Sequence, residues 1–182
     1  MSGCLRLTTN ARDGNKKRVL FLCTHNSVRS QMAEGLLRAM HGDRFEACRA
    51  GVVATYVDPY AVRVMGEIGI DISCQRSKTV QEFQGLVFDL AVTVCDHARQ
   101  ACPIVSTDLD RPGGSPKAHL IIHHSFADPA SVTGSEEERL KAYRRARDEI
   151  CEWISETLPK VLSGDPKDAD RSEEQVQAGL SA

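Results

Sequence analysis

The sequence predicts a single-domain α/β fold: a three-layer sandwich with a central parallel sheet of about four strands flanked by helices. Three observations carry this expectation. Residues 18–23 ("RVLFLC") and 90–95 ("LAVTVC") are continuous apolar runs, as expected of strands buried on both faces. Such runs alternate with stretches of helical periodicity, the pattern of a parallel sheet with crossover helices. A chain of 182 residues holds one domain with a full core and has little room for two.

The elements follow in order. Residues 1–17 are polar and read as a mobile tail, ahead of a folded domain at 18–163 and a second polar tail at 164–182. After the strand at 18–23, Met32, Ala33, Leu36, Leu37 and Met40 recur at helical spacing over residues 30–41, with Gly42 as the expected C-terminal cap. Residues 45–50 suit a second strand. Asp58-Pro59 supplies an N-cap and first-turn proline for a helix to about residue 68. A short helix near 79–83 precedes the strand at 90–95, and a further strand falls within 119–126. The last helix is announced by Ser135 and Glu138, the two partners of a capping box. Leu140, Tyr143, Ile150, Ile154, Leu158 and Val161 form its apolar stripe.

Composition narrows the function. A net charge of −2 offers no field for nucleic acid or an anionic membrane. No apolar run approaches the roughly 20 residues of a membrane span, and residues 1–18 carry no stretch suited to a secretory signal. A cytoplasmic location and a monomer are the expectations. Seven cysteines, an odd number, argue against a static disulfide framework. Some are then small hydrophobes and others chemically employed. Cys4, Cys48 and Cys151 read as packing or surface thiols; Cys74, in a loop, is a weaker redox candidate.

Cys23 closes a buried strand at the sheet's carboxyl end, where ligands bind in such folds. The segment Cys23, Thr24, His25, Asn26, Ser27, Val28, Arg29, Ser30 then leads into a helix. A loop of this kind aims backbone N–H groups and the positive helix end at a tetrahedral oxyanion. The same field favours a thiolate at Cys23, with an expected pKa within roughly 3.5–7.5. Arg29 offers two parallel donors, which lysine does not, and Ser30 and Asn26 are placed to bond the sulfur and brace the loop. A buried structural cysteine beside an incidental arginine is the plainer alternative.

"FLCTHNSVRSQMAEG" (21–35) resembles the low-molecular-weight tyrosine phosphatase superfamily, and most closely its thioredoxin-coupled arsenate reductase branch. The likeness spans residues 18–158 and includes "RAGV" (49–52), "GIDIS" (69–73), "TVCDHARQACP" (93–103) and "FADPA" (126–130). It implies that Asp128 is the general acid, although Asp128-Pro129 is also a common helix or turn start. It further implies a relay of three thiols. Cys23 attacks arsenate, Cys95 attacks Cys23 with release of arsenite, and Cys102 takes the disulfide from Cys95 for reduction by thioredoxin. No metal or other cofactor is expected, and phosphate and sulfate are the competing oxyanions.

Spacing constrains the relay. If residues 96–102 are helical, seven steps separate the Cα atoms of Cys95 and Cys102 by roughly 10 Å. A disulfide tolerates about 4.4–6.8 Å, so the segment must unwind on oxidation. Two other readings remain open. One is a phosphatase of the same fold acting through a phosphocysteine at Cys23, against which Ala130-Ser131 stands where family phosphatases carry tyrosine. The other is a metal module built from Cys95, His97, Cys102, His119, His123 and His124, whose spacing fits no common zinc pattern.

Some relatives bind potassium beside the anion loop through Asn, Glu, Ser and Asp. Asn26 and Glu34 match that set, but Arg49 and Lys78 occupy the Ser and Asp positions. The expectation is no potassium site, with a basic group supplying its charge. His25 replaces the usual loop glycine.

Overall fold

The computed structural model describes residues 16–96, 105–110 and 114–163. Its sheet has four parallel strands in the order β2-β1-β3-β4: β1 Lys17–Cys23, β2 Phe45–Gly51, β3 Val87–Thr93 and β4 Lys117–His123. β1 and β3 lie at the centre, which accounts for their unbroken apolar sequences. Both faces of each are covered, so polar alternation has no place there. Along β1 the side chains still take turns. Val19, Phe21 and Cys23 enter one core, Leu20 and Leu22 the other.

The larger core lies under the helices α1 Arg29–His41, α2 Pro59–Gly66, α3 Glu136–Glu156 and α4 Leu158–Ser163. Met32, Leu36 and Leu37 of α1 meet Phe21, Leu90 and Val92 of the sheet, alongside Leu140, Ile150 and Ile154 of α3. Each such fully buried side chain contributes about 1.5–3 kcal/mol. On the opposite face Val80 and Phe83, from the short 3-10 helix Val80–Phe83, pack with Val105 over Leu20, Phe88 and Ala91.

The caps foreseen at two helices form. The Asp58 carboxylate accepts from the Tyr60 N–H at 2.8 Å ahead of Pro59. Ser135 and Glu138 complete a reciprocal capping box at α3. Gly42 is the C-cap of α1, as expected, although in a right-handed helical conformation instead of a left-handed one. Boundaries moved elsewhere. The Val161 end of the last apolar stripe belongs to a separate short helix that starts after Thr157, with Pro159 in its first turn. β3 begins at Val87, three residues early, and ends at Thr93. Val94 and Cys95 therefore lie just past the strand, at the carboxyl edge of the sheet. The expected N-terminal tail up to residue 15, the C-terminal tail and Cys102 lie outside the described residues.

Candidate active site

The loop between β1 and α1 is held from several sides. The N–H groups of Val52 and Val53 donate to the carbonyls of Cys23 and Thr24 at 3.2 and 2.9 Å. The His25 carbonyl accepts from both Thr55 Oγ1 (3.1 Å) and Ser77 Oγ (3.0 Å). Asn26 takes a left-handed backbone, φ 48°, which asparagine tolerates better than most residues. Its buried amide donates to Ser30 Oγ at 2.9 Å and accepts from the Lys78 N–H at 2.8 Å. Gly51 allows this crowding. A Cβ there would lie 2.8 Å from the Asn26 nitrogen and 2.9 Å from the Thr24 carbonyl oxygen.

Within this frame, Cys23 Sγ receives the Asn26 N–H at 2.9 Å and lies 2.9 Å from Ser30 Oγ. No described side chain caps α1, whose first turn opens directly from the loop. Arg29 sits in that turn. It donates to the Phe126 carbonyl at 2.9 Å and pairs with the Asp128 carboxylate at 3.0 Å. Asp128 also accepts from the Ala130 N–H at 3.2 Å, so its turn-forming and site-facing uses coexist. A cleft of about 240 Å³ is lined by Cys23, His25, Ser27, Val28, Arg29, Thr55, Tyr56, Asp58, Asp128 and Ala130. The exposed His25 forms part of this wall.

One electrostatic expectation is overturned. Cys23 is 4% exposed, and burial pushes its thiol pKa up rather than down. The Ser30 hydrogen bond opposes this most, followed by the Asn26 N–H and the Arg29 charge, while Cys95 adds to the rise. Arg29 gives part of its field to Asp128. The depth of the sulfur beneath its loop was not visible in the residue pattern.

Cys95 is 3% exposed, and its sulfur lies 3.4 Å from Thr24 Oγ1, in the loop that starts at Cys23. Both thiols belong to the same core, and Cys95 is near enough to influence Cys23 electrostatically. Cys48 is buried in the opposite core and pushed up to about 12, Cys74 is exposed, and Cys151 lies 3.7 Å from Met40 Sδ.

The basic replacement beside Asn26 and Glu34 is Arg49. Its buried guanidinium bonds the carboxylate of Glu34, the side-chain oxygen of Gln31 and, at 3.1 Å, the Arg76 carbonyl. Gln31 in turn donates to the Asn26 carbonyl at 2.7 Å, which links Arg49 to the loop. Lys78 contributes its backbone to Asn26, while its ammonium lies 5.3 Å from the Phe83 ring centre. Burial, then the Arg49 charge, pushes the Lys78 pKa down. Among the described residues no group of three His, Cys, Asp or Glu side chains is placed to hold a metal ion; His97 and Cys102 lie outside them.

Three contributors escaped sequence reasoning: Thr55, Tyr56 and Asp58. They follow β2, and the rule that ligands gather at the carboxyl ends of strands would have found them. Tyr143 of α3 holds Asp58 in place through a 2.9 Å hydrogen bond from its hydroxyl.

A parallel sheet with a cysteine loop, an arginine and an aspartate at its carboxyl edge is the layout of a thiol enzyme. The chain belongs to the low molecular weight phosphotyrosine protein phosphatase family, whose family model matches residues 18–165. It is 44% identical over 140 residues to an arsenate reductase of Halalkalibacterium halodurans, covering 77% of this chain and 94% of that one. An arsenate reductase of Bacillus subtilis is 39% identical with the same coverage. Among solved structures, an arsenate reductase in reduced state matches with TM-score 0.57 and 25% identity, over 80% of this chain and 98% of that one. The low molecular weight protein tyrosine phosphatase of T. tengcongensis matches with TM-score 0.59 and 26% identity, over 80% and 99%. No helix among the described residues is long and apolar enough to cross a membrane.

Proposed function

We propose that the protein is an arsenate reductase working through thiol–disulfide exchange, with thioredoxin or a similar dithiol as the electron source. The observation that carries this reading is the second buried thiol at the anion loop, Cys95 against Thr24. A phosphatase cycle has use for Cys23 alone. Reduction of As(V) to As(III) requires two electrons, and two thiols becoming one disulfide supply them.

In the first step arsenate is held by the loop N–H groups and Arg29, which leaves Asp128 for the anion. The Cys23 thiolate attacks arsenic, an As–O bond breaks, and Asp128 protonates the leaving oxygen as water. Arsenate binding brings Arg29 and the α1 terminus to bear on a shared site with the sulfur. In the second step the Cys95 thiolate attacks Cys23 Sγ. The S–S bond forms, the S–As bond breaks, and its electron pair stays on arsenic, which departs as arsenite. Cys102 then attacks Cys95, and thioredoxin reduces the resulting Cys95–Cys102 bond. The sum is arsenate plus two thiols giving arsenite, water and a disulfide. Asp128 acts from the general-acid position, Arg29 as the anion clamp, and no metal takes part.

Aryl phosphate hydrolysis is the second reading, favoured by Tyr56 on the cleft wall. Arsenate-dependent NADPH oxidation, coupled through thioredoxin and its reductase and run beside aryl phosphate hydrolysis, separates the two. Reduction should dominate. Phosphate release without NADPH consumption would reverse the assignment.

A further inference from the structure

The end of β3 carries a side-chain bridge that the scheme above does not use. Thr93 is the last residue of β3, and His123, the last of β4, is its register partner. Thr93 Oγ1 lies 2.8 Å from His123 Nδ1, and His123 Nε2 lies 3.1 Å from Asp96 Oδ1. One imidazole therefore joins the residue two before Cys95 to the residue one after it. A carboxylate only accepts, so Nε2 carries a proton toward Asp96; at the other nitrogen the Thr93 hydroxyl, which also lies 3.4 Å from the Ile122 carbonyl, is the hydrogen-bond partner.

Ahead of Cys95, the backbone is tied to the segment after β4 by the His124 N–H on the Thr93 carbonyl (3.0 Å) and the Phe126 N–H on the Val94 carbonyl (3.3 Å). Past Cys95, Asp96 is exposed and its carboxylate rests on His123. The ring thus tethers Asp96, one residue past Cys95, to the ends of β3 and β4. Cys95 Sγ itself lies 3.4 Å from Thr24 Oγ1.

We propose that His123 is a positioning residue for Cys95, holding its sulfur in line for attack on Cys23 by anchoring Asp96. This rests on the reading of Cys95 as the second thiol. Displacement at sulfur needs near-linear approach, and a shift of about 1 Å in such geometry can cost about a hundredfold in rate. The cost should fall on disulfide formation and spare the chemistry of Cys23 itself.

The test is a single turnover with arsenate in Cys102→Ser protein, where the relay stops at the Cys23–Cys95 disulfide, quenched by acid and followed by mass spectrometry of that bond. His123→Ala should slow its formation at least tenfold. Alkylation of Cys23 by iodoacetamide, and its protection by inorganic phosphate, should stay within twofold of wild type. His123→Gln, whose amide reaches the Nε2 position and the Asp96 carboxylate, should recover most of the rate. His123→Asn, which reaches only toward Thr93, should not. Asp96→Ala should match His123→Ala, and the double variant should be no slower than either single one; Asp96 is exposed, so this arm serves if His123→Ala fails to fold. Disulfide formation within twofold of the Cys102→Ser parent in either alanine variant overturns the proposal, as does an equal loss in both readouts. If the Cys102→Ser parent itself forms no Cys23–Cys95 disulfide with arsenate, the reading of Cys95 falls and this role with it.

Discussion

Cys23 has to be buried to sit beneath an oxyanion, and burial is what makes its sulfur a reluctant thiolate. The compensation is local: Ser30, the Asn26 N–H and Arg29 all favour the ionised form but do not outweigh desolvation. Alkylation of Cys23 by iodoacetamide in phosphate-free buffer should therefore accelerate as pH rises above the usual thiol range. Ser30→Ala removes the largest opposing contribution and should move that profile further up. A profile already flat at pH 7 would show that the loop field dominates after all. The loop and Arg29 were legible in the sequence because an abrupt change from apolar strand to polar loop marks such a site, whereas Asp128, whose Asp-Pro pair reads equally as a turn, was singled out only through the family resemblance. The sign of the thiol shift was not legible, since it depends on how deep the sulfur lies and on what else claims Arg29.

At the scale of elements, β1, α1 and β2 build the anion loop as one unit, with Arg49 as its internal cation. Glu34 is 2% exposed and relies on Arg49 and Arg38 for its charge balance. Arg49→Ser leaves only Arg38, which should cost about 3 kcal/mol in denaturant unfolding. Wild-type turnover should be the same in potassium and sodium salts of equal ionic strength. Selective stimulation by potassium would mean that a cation still finds a place beside Glu34. That a basic side chain would stand here followed from Arg49 and Lys78. Which of the two would meet Glu34 did not, because only packing turns the Arg49 guanidinium inward and lays the Lys78 ammonium over Phe83. The His123 bridge was equally invisible, since strand register brings together Thr93, Asp96 and a residue 27 positions from Asp96.

For the molecule as a whole, the arrangement places its chemistry at one edge of the sheet and its stability in the two cores on either face. Those cores carry a pH signature. Cys48 is held protonated up to about 12, against an ordinary value near 9. The unfolded thiol ionises first, so its contribution is complete below about pH 9 and is lost as pH rises toward the folded value. The slope is about 1.4 kcal/mol per pH unit for each such thiol, and Cys23 acts in the same direction. Denaturant melts across this range should show the loss, and Cys48→Ala should flatten it. An unchanged slope in that variant would assign the alkaline sensitivity to other groups.

The most direct test of the central claim, that Cys23 and Cys95 together deliver two electrons to arsenate, uses Cys102→Ser protein. It is mixed with one equivalent of arsenate without thioredoxin and analysed by mass spectrometry with arsenic speciation. One equivalent of arsenite and a Cys23–Cys95 disulfide are expected, with no further turnover when thioredoxin is added. Arsenite released while Cys95 remains a free thiol, or sustained thioredoxin-driven turnover, would contradict the account.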